Sequence, residues 1–299
     1  MKRIEMRRSW IVASVAFALL AAVWHFGPGR RWTMRLSRDA DFATKYVGTQ
    51  TNADLVTGVV PKDDVLSIYD RSIRVTDAAD WPRSLVLLDK YTIRDIQTGA
   101  VVYEYATSER ADPATGAWAS GPHKGDIVVF PRNVERRTYT MRSNYMTGVP
   151  LKFSKVVDVG GLSTYLFSYQ GPIDFTAAFA GTAQYPGVAV PAGQEIRCAD
   201  DQFYYRIWVD PLTGEQARVE EGCPSGDYIY DKASGRKIAA VDRWNGETSG
   251  ADLAARVTAV YDARRAYTWA SLYVPGILVA ACVGCSAAGF WRRDTSVLA

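Results

Sequence analysis

The chain has 299 residues, 48% of them hydrophobic, and its 35 basic and 32 acidic side chains leave a formal charge of +3. That length can bury a sizeable core, and basic residues scattered rather than banded give no electrostatic footprint for nucleic acid. Two histidines, His25 in an apolar run and His123 in a Gly/Pro-flanked loop, leave little material for a zinc site or a histidine relay.

Residues 1–8 form a basic tail carrying Lys2, Arg3, Arg7 and Arg8, and the run from Ser9 to Phe26 has no charge. The run stays apolar through Trp24, His25 and Phe26, where a signal peptide would place a polar cleavage site. Residues 9–27 therefore read as an uncleaved transmembrane helix. Residues 28–265 read as an extracytoplasmic β-rich domain, with Asp39 to Tyr46 as a weak helical candidate at its start.

The regularity within that domain is a five-residue turn, Asp-x-x-Thr/Ser/Asn-Gly, at Asp95–Gly99, Asp112–Gly116, Asp210–Gly214, Asp231–Gly235 and Asp242–Gly246. Asn144–Gly148 is a variant of it. Asp or Asn caps such a turn with its side chain, and Gly takes the left-handed conformation that closes it, which is hairpin chemistry. Segments rich in β-branched and aromatic residues flank these turns: Leu85 to Ile93, Ala100 to Thr107, Leu151 to Val157, Ser163 to Tyr169 and Phe203 to Val209. The expected fold is mainly β with an α+β admixture, an antiparallel, barrel-like meander between two terminal transmembrane helices.

Cys198 and Cys223 lie nearly symmetrically about the Asp210 turn, so strands paired through it should bring the thiols together as a disulfide in an oxidising compartment. Thr176 to Gly193 is low in charge and rich in Ala, Gly and Pro, with Phe179 and Tyr185 as its large side chains. It reads either as an irregular, part-buried connection or as a lip that touches the bilayer or admits an apolar ligand. Ser249 is placed to cap a helix with Leu253, Val257, Val260 and Tyr261 on one face.

That helix leads into a second uncharged run, residues 266–291, stopped by Arg292 and Arg293 of the tail 292–299. Trp10 and Trp291, and at the opposite ends Trp24 and Trp269, mark two membrane interfaces. Small residues recur every fourth position: Ser14, Ala18 and Ala22 in the first span, Gly276, Ala280, Gly284 and Ala288 in the second. They predict a packing face between the helices or toward a partner. Cys282-Val-Gly-Cys285 sits inside the second span with no cation or helix N-terminus beside it, so it reads as packing, or as an acylation site, rather than as a redox pair. The tails are assigned to the cytoplasm on a small bias of positive charge, which makes this a plasma-membrane protein with its main domain outside.

Four segments carry a resemblance: Asp112-Pro-Ala-Thr-Gly116, Val129-Phe-Pro-Arg-Asn-Val-Glu-Arg-Arg-Thr-Tyr139, Gly161-Leu-Ser-Thr-Tyr-Leu-Phe167 and Val209-Asp-Pro-Leu-Thr-Gly214. In these the chain resembles an actinobacterial envelope family labelled porin PorA, over most of its length. The resemblance implies the two-helix topology and a role in a pore. Single-chain outer-membrane barrels use strands and no helical spans, so such a pore would be an oligomer. In layout the chain is also similar to class B scavenger receptors, which implies a β-rich ectodomain with a lipid passage.

No nucleophile elbow, zincin motif, phosphate loop or metal-spaced cluster is present, so neither an enzyme nor a cofactor is expected. The leading expectation is a membrane-anchored protein that binds or passes lipids or other apolar envelope molecules. The alternatives are a structural or accessory subunit of an envelope complex, and an oligomeric channel. Its partners would be the lipid bilayer, an apolar ligand, a membrane protein or further copies of itself.

Overall fold

Period-two alternation builds the sheet. In the strand Leu85–Asp95, Leu85, Leu87, Asp89, Tyr91 and Ile93 are buried and most residues between them are half-buried. The computed structural model describes residues 2–27, 29, 33–52, 65–142, 148–176 and 195–291. Its strands are β1 (Asp41–Asn52), β2 (Val65–Asp77), β3 (Leu85–Asp95), β4 (Val101–Ala111), β5 (Tyr139–Met141), β6 (Val149–Val159), β7 (Leu162–Asp174), β8 (Ile196–Val209), β9 (Gln216–Asp231) and β10 (Lys237–Glu247).

They form one antiparallel sheet in the order β4-β3-β2-β1-β10-β9-β8-β7-β6-β5. The meander is thus interrupted between β4 and β5 rather than at the ends of the chain. First and last strands pair, with Val47 opposite Glu247 and Asn52 opposite Asp242. Consequently the chain enters the sheet at Asp41 and leaves it at Glu247 at the same end. The sheet is not closed: among the described residues only isolated bridges, Ala111 to Trp118, Ala117 to Ile127 and Ile127 to Met141, lead from β4 across the intervening segment to β5.

The inward face curls around a single aromatic core. Tyr91 and Ile93 of β3 share it with Tyr139 of β5, Leu151 of β6 and Phe203 of β8, and the connecting segment contributes Phe130. Phe130 and Phe167 approach to 4.9 Å, and Tyr46 stacks on Tyr69 at 5.1 Å. Apolar burial of this extent is the main stabilising term of the domain.

Four of the five Asp-to-Gly turns form as read. Asp95 accepts from the Gln97 and Thr98 amides, Asp112 from Ala114, Asp210 from Thr213 and Asp231 from Ser234, and Gly99, Gly116, Gly214 and Gly235 all have positive φ. The fifth does not form: Asp242 to Gly246 lies within β10, paired on both sides. Most of Asn144–Gly148 lies outside the described residues. No helix forms over Asp39 to Tyr46: Asp39 lies in a turn, and from Asp41 the chain is β1, paired with β2 from Asp41 to Gln50.

Helix α1 spans Lys2–Phe26; α2 spans Gly250–Thr268 and leads through a π turn, Trp269–Tyr273, into α3, Val274–Trp291. Ser249 caps α2 as expected, its Oγ accepting from the Asp252 amide at 3.2 Å. Leu253, Val257 and Val260 cover the outer face of the sheet against Val159, Leu162, Leu166 and Trp208, while Tyr261 remains exposed. The tight Gly160–Gly161 turn lets the β6–β7 hairpin approach that helix: a Cβ on Gly160 would stand 3.0 Å from Val257. The π turn has a cause in Pro275, which has no N–H to donate back to Ser271 and whose ring would clash with that carbonyl.

Residues 38–261 make one compact unit; the described parts of 1–37 and 262–299 make another. In the second unit α1 and α3 pack on each other. Two helical segments, Ser9–Phe26 and a window within Gly250–Ala288, are long and apolar enough to cross a membrane.

Candidate functional site

The helix pair has a polar centre. Ser14 Oγ of α1 lies 2.7 Å from Ser286 Oγ, donates to the Cys282 carbonyl at 3.0 Å and stands 3.3 Å from the Cys282 sulfur. Nearer the other end Trp24 donates its indole N–H to the Ala270 carbonyl at 3.0 Å, inside the π turn.

The contact face differs from the stripe read in the sequence. On α1 the half-buried positions are Trp10, Ala13, Ser14, Phe17, Ala21 and Trp24, while Ala18 and Ala22 are exposed. On α3 they are Val274, Pro275, Leu278, Ala281, Cys282, Cys285 and Ser286, with Ala288 half-buried as well. Gly276, Ala280 and Gly284 are exposed, and a Cβ added to either glycine would meet nothing within 4 Å. Side chains therefore meet at steps of three and four, the 3.5-residue repeat of left-handed packing, and a strict four-residue stripe drifts off that seam. Of the small residues expected at the contact, Ser14 sits at its centre. Of the interfacial tryptophans, Trp269 is exposed, Trp10 and Trp24 are half-buried, and the Trp291 side chain lies outside the described residues.

The expected disulfide does not form: Cys198 and Cys223 are both buried and are not joined to each other. Their strands pair, but Cys198 lies opposite Ile229, and the ladder skips between Ala199 and Tyr204. Phe179 and Tyr185 lie outside the described residues.

Two features had no sequence signal because each is assembled from distant strands. One is an exposed apolar rim where β2, β3 and β4 end. Val65, Leu66, Ile96, Val101 and Val102 are between 36% and 48% exposed. Pairing brings them to one corner: Ile96 donates to the Leu66 carbonyl at 3.0 Å, and Arg94 lies opposite Val101. Exposed apolar side chains gathered at one corner of a sheet make a candidate contact surface.

The other is a set of carboxylic acids inside the domain. Glu221 is buried beneath the Tyr46 and Tyr91 hydroxyls, both of which donate to it, and burial pushes its carboxyl up to about 8. Asp200 and Asp227 lie buried beside Cys223, and Asp242 is half-buried next to Asp227. Burial first, then the neighbouring acids, raises Asp227 and Cys223 well above their ordinary ranges, and burial holds Asp242 at about 6. Arg71 and Asp89 form a buried two-point ion pair at 2.9 and 3.0 Å.

No curated protein matches the chain. A solved structure, the crystal structure of a monomeric dehydratase domain from a trans AT polyketide synthase split module, aligns over 69% of this chain and 82% of that one, with 8% identity and a TM-score of 0.12. At that score it carries no argument. The family model described as Porin PorA, in contrast, matches residues 30–291, from the end of the first apolar helix through the sheet to the end of the second, and the chain belongs to that family.

Proposed function

We propose that the protein is a membrane-anchored envelope protein whose β-rich domain, on the extracytoplasmic side, binds or passes lipids or other apolar envelope molecules. The observation that carries this reading is the exposed rim of Val65, Leu66, Ile96, Val101 and Val102 on a domain tethered by two apolar helices. Tyr69, Phe130, Phe167 and Phe203 are fully buried and fill the inside of the curl, so the ligand is assigned to the rim. Acyl chains fit such a surface because they gain by leaving water and ask for no hydrogen bonds. The basic tails orient the domain outward.

Native mass spectrometry of the detergent-purified chain tests this reading. A co-purified lipid that is lost in Leu66→Asp and Val101→Asp supports it. A stoichiometric protein partner with no lipid favours an accessory subunit, and loss of lipid in neither variant removes the rim from the argument.

A porin-like channel is the second reading, favoured by the family description and by the open edges of the sheet. Two spans from one chain cannot enclose a water-filled path, so conductance would require several copies. Stepwise currents in planar bilayers, together with an oligomer in native mass spectra, would establish it.

A further inference from the structure

Strand β9 passes Cys223, Ser225 and Asp227 through a point where the ladders on both of its sides break. Toward β8 the register shifts between Ala199 and Tyr204; toward β10 it shifts between Ala240 and Asp242 and again between Asp242 and Trp244. Bulges of this kind re-aim side chains and recur beside functional sites. Here Asp200, Cys223 and Asp227 each present a ligand atom, all three residues are buried, and these atoms lie within 4.8 Å of one another.

The hydrogen bonds of the cluster leave it incomplete. Asp200 Oδ1 accepts from the Gln202 amide and from Ser225 Oγ, and Asp242 Oδ2 accepts from Gln50 at 3.2 Å. The Asp227 carboxyl faces Asp242 and the Cys223 thiol. Asp200 Oδ2, Asp227 Oδ1 and Asp242 Oδ1 are nonetheless buried with no hydrogen-bond partner. Buried carboxyl oxygens facing other acids are costly unless something positive sits among them. A proton can serve the Asp227–Asp242 contact, but it leaves the open oxygen of Asp200 unanswered.

We propose that Asp200, Cys223 and Asp227 are the ligands of a divalent cation of the zinc class, with Asp242 acting as a positioning residue for Asp227. The donor set selects the metal. One sulfur and two carboxylates suit zinc or cobalt, whereas calcium and magnesium take six or more oxygens. Zinc bonds of ~2.3 Å to sulfur and ~2.0–2.2 Å to oxygen put tetrahedral ligand atoms roughly 3.5 Å apart, so closing the cluster needs only small side-chain rotations. On binding, the thiol proton and the proton of the Asp227–Asp242 contact leave to solvent. The metal would pin β8 to β9 directly, with β10 reached only through Asp242, where the backbone ladders fail, whatever the domain binds at its rim.

The test uses the full chain in detergent, with Cys282→Ser and Cys285→Ser so that the membrane thiols are silent. After chelator treatment, cobalt is titrated in. The expected result is a thiolate-to-cobalt charge-transfer band that saturates at one metal per chain and is bleached by zinc. Cys223→Ser should abolish the band, Asp227→Asn should weaken binding at least tenfold, and Cys198→Ser should leave it intact. Both site variants are near-isosteric and remove an acid from the core, so circular dichroism should report a native fold without metal. Zinc should raise the Tm of the parent and not of Cys223→Ser. A folded parent with no band at stoichiometric cobalt, or a band or zinc-dependent Tm shift that survives Cys223→Ser, overturns the assignment.

Discussion

Ser14 on α1 and Ser286 on α3 meet hydroxyl to hydroxyl at 2.7 Å, and the Cys282 sulfur lies 3.3 Å from the same Ser14 oxygen. In lipid, apolar side chains gain nothing by leaving the acyl chains for each other, so this polar knot and close backbone packing fix how the two helices face. Interhelical hydrogen bonds of this kind contribute about 1 kcal/mol. Ser14→Cys should form an intrachain disulfide with Cys282 under mild oxidant, read as a mass loss of two hydrogens and a mobility shift without reductant. Ala18→Cys with Ala280→Cys, both on exposed faces, should not. The reverse pattern would mean that the four-residue stripe is the true contact.

Arg71 and Asp89 pair on adjacent strands, with Asp89 wholly buried and the Arg71 side chain 8% exposed. A buried ion pair contributes little net stability, because desolvation offsets the Coulombic attraction, but removing one partner strands a charge. Asp89→Leu or Arg71→Met should each destabilise the domain by roughly 3–5 kcal/mol. The double variant Arg71→Met, Asp89→Leu should recover most of that loss in denaturant titrations. Additive losses in the double variant would show that the side chains act independently.

The features legible in the sequence were those whose cause is local. Asp95, Asp112, Asp210 and Asp231 could be read as turns because a carboxylate accepting amides within three residues, closed by a glycine, needs nothing from the rest of the chain. Asp242 carries the same pattern and fails because β1 and β9 claim its backbone from both sides, and neither neighbour is visible from residue 242. The same blindness produced the disulfide: the two cysteines look symmetric about a turn only if the ladder is unbroken, and it skips between Ala199 and Tyr204. The acids that gather at Cys223 come from three strands with no fixed spacing, so no motif announces them.

Gly214 and Gly235 close turns of the same type at similar φ, 75° and 69°, yet their surroundings differ. The segment after Phe130 docks on the Gly214 turn: the Asn133 and Val134 amides donate to the Leu212 and Pro211 carbonyls. A Cβ at 214 would stand 2.2 Å from the Pro131 carbonyl oxygen, whereas one at 235 meets nothing within 4 Å. Gly235→Ala should therefore cost about 1 kcal/mol, the penalty of the left-handed conformation alone. Gly214→Ala adds a backbone clash and should cost several times as much by thermal melting. Equal costs at the two sites would show that the docked segment yields freely.

Glu221 gives the domain an unusual dependence on pH. Its carboxyl accepts from the Tyr46 and Tyr91 hydroxyls, which lie 2.9 Å from each other, and burial lifts its pKa from the ordinary 4.5 to about 8. The folded state thus holds a proton on Glu221 over a range in which the unfolded chain has released it. The stability this supplies is fully present below 4.5 and is lost as pH rises toward 8, at roughly 1.4 kcal/mol per unit. Asp227 and Asp242 are displaced in the same direction, so the comparison with Glu221→Gln isolates the one group. With chelator present throughout, the wild-type chain should unfold at lower denaturant at about pH 9 than at about pH 5, and Glu221→Gln should flatten that slope and gain most at the alkaline end. Parallel pH profiles for the two chains would mean that Glu221 is ionised in the folded protein, its charge met by the tyrosine hydroxyls.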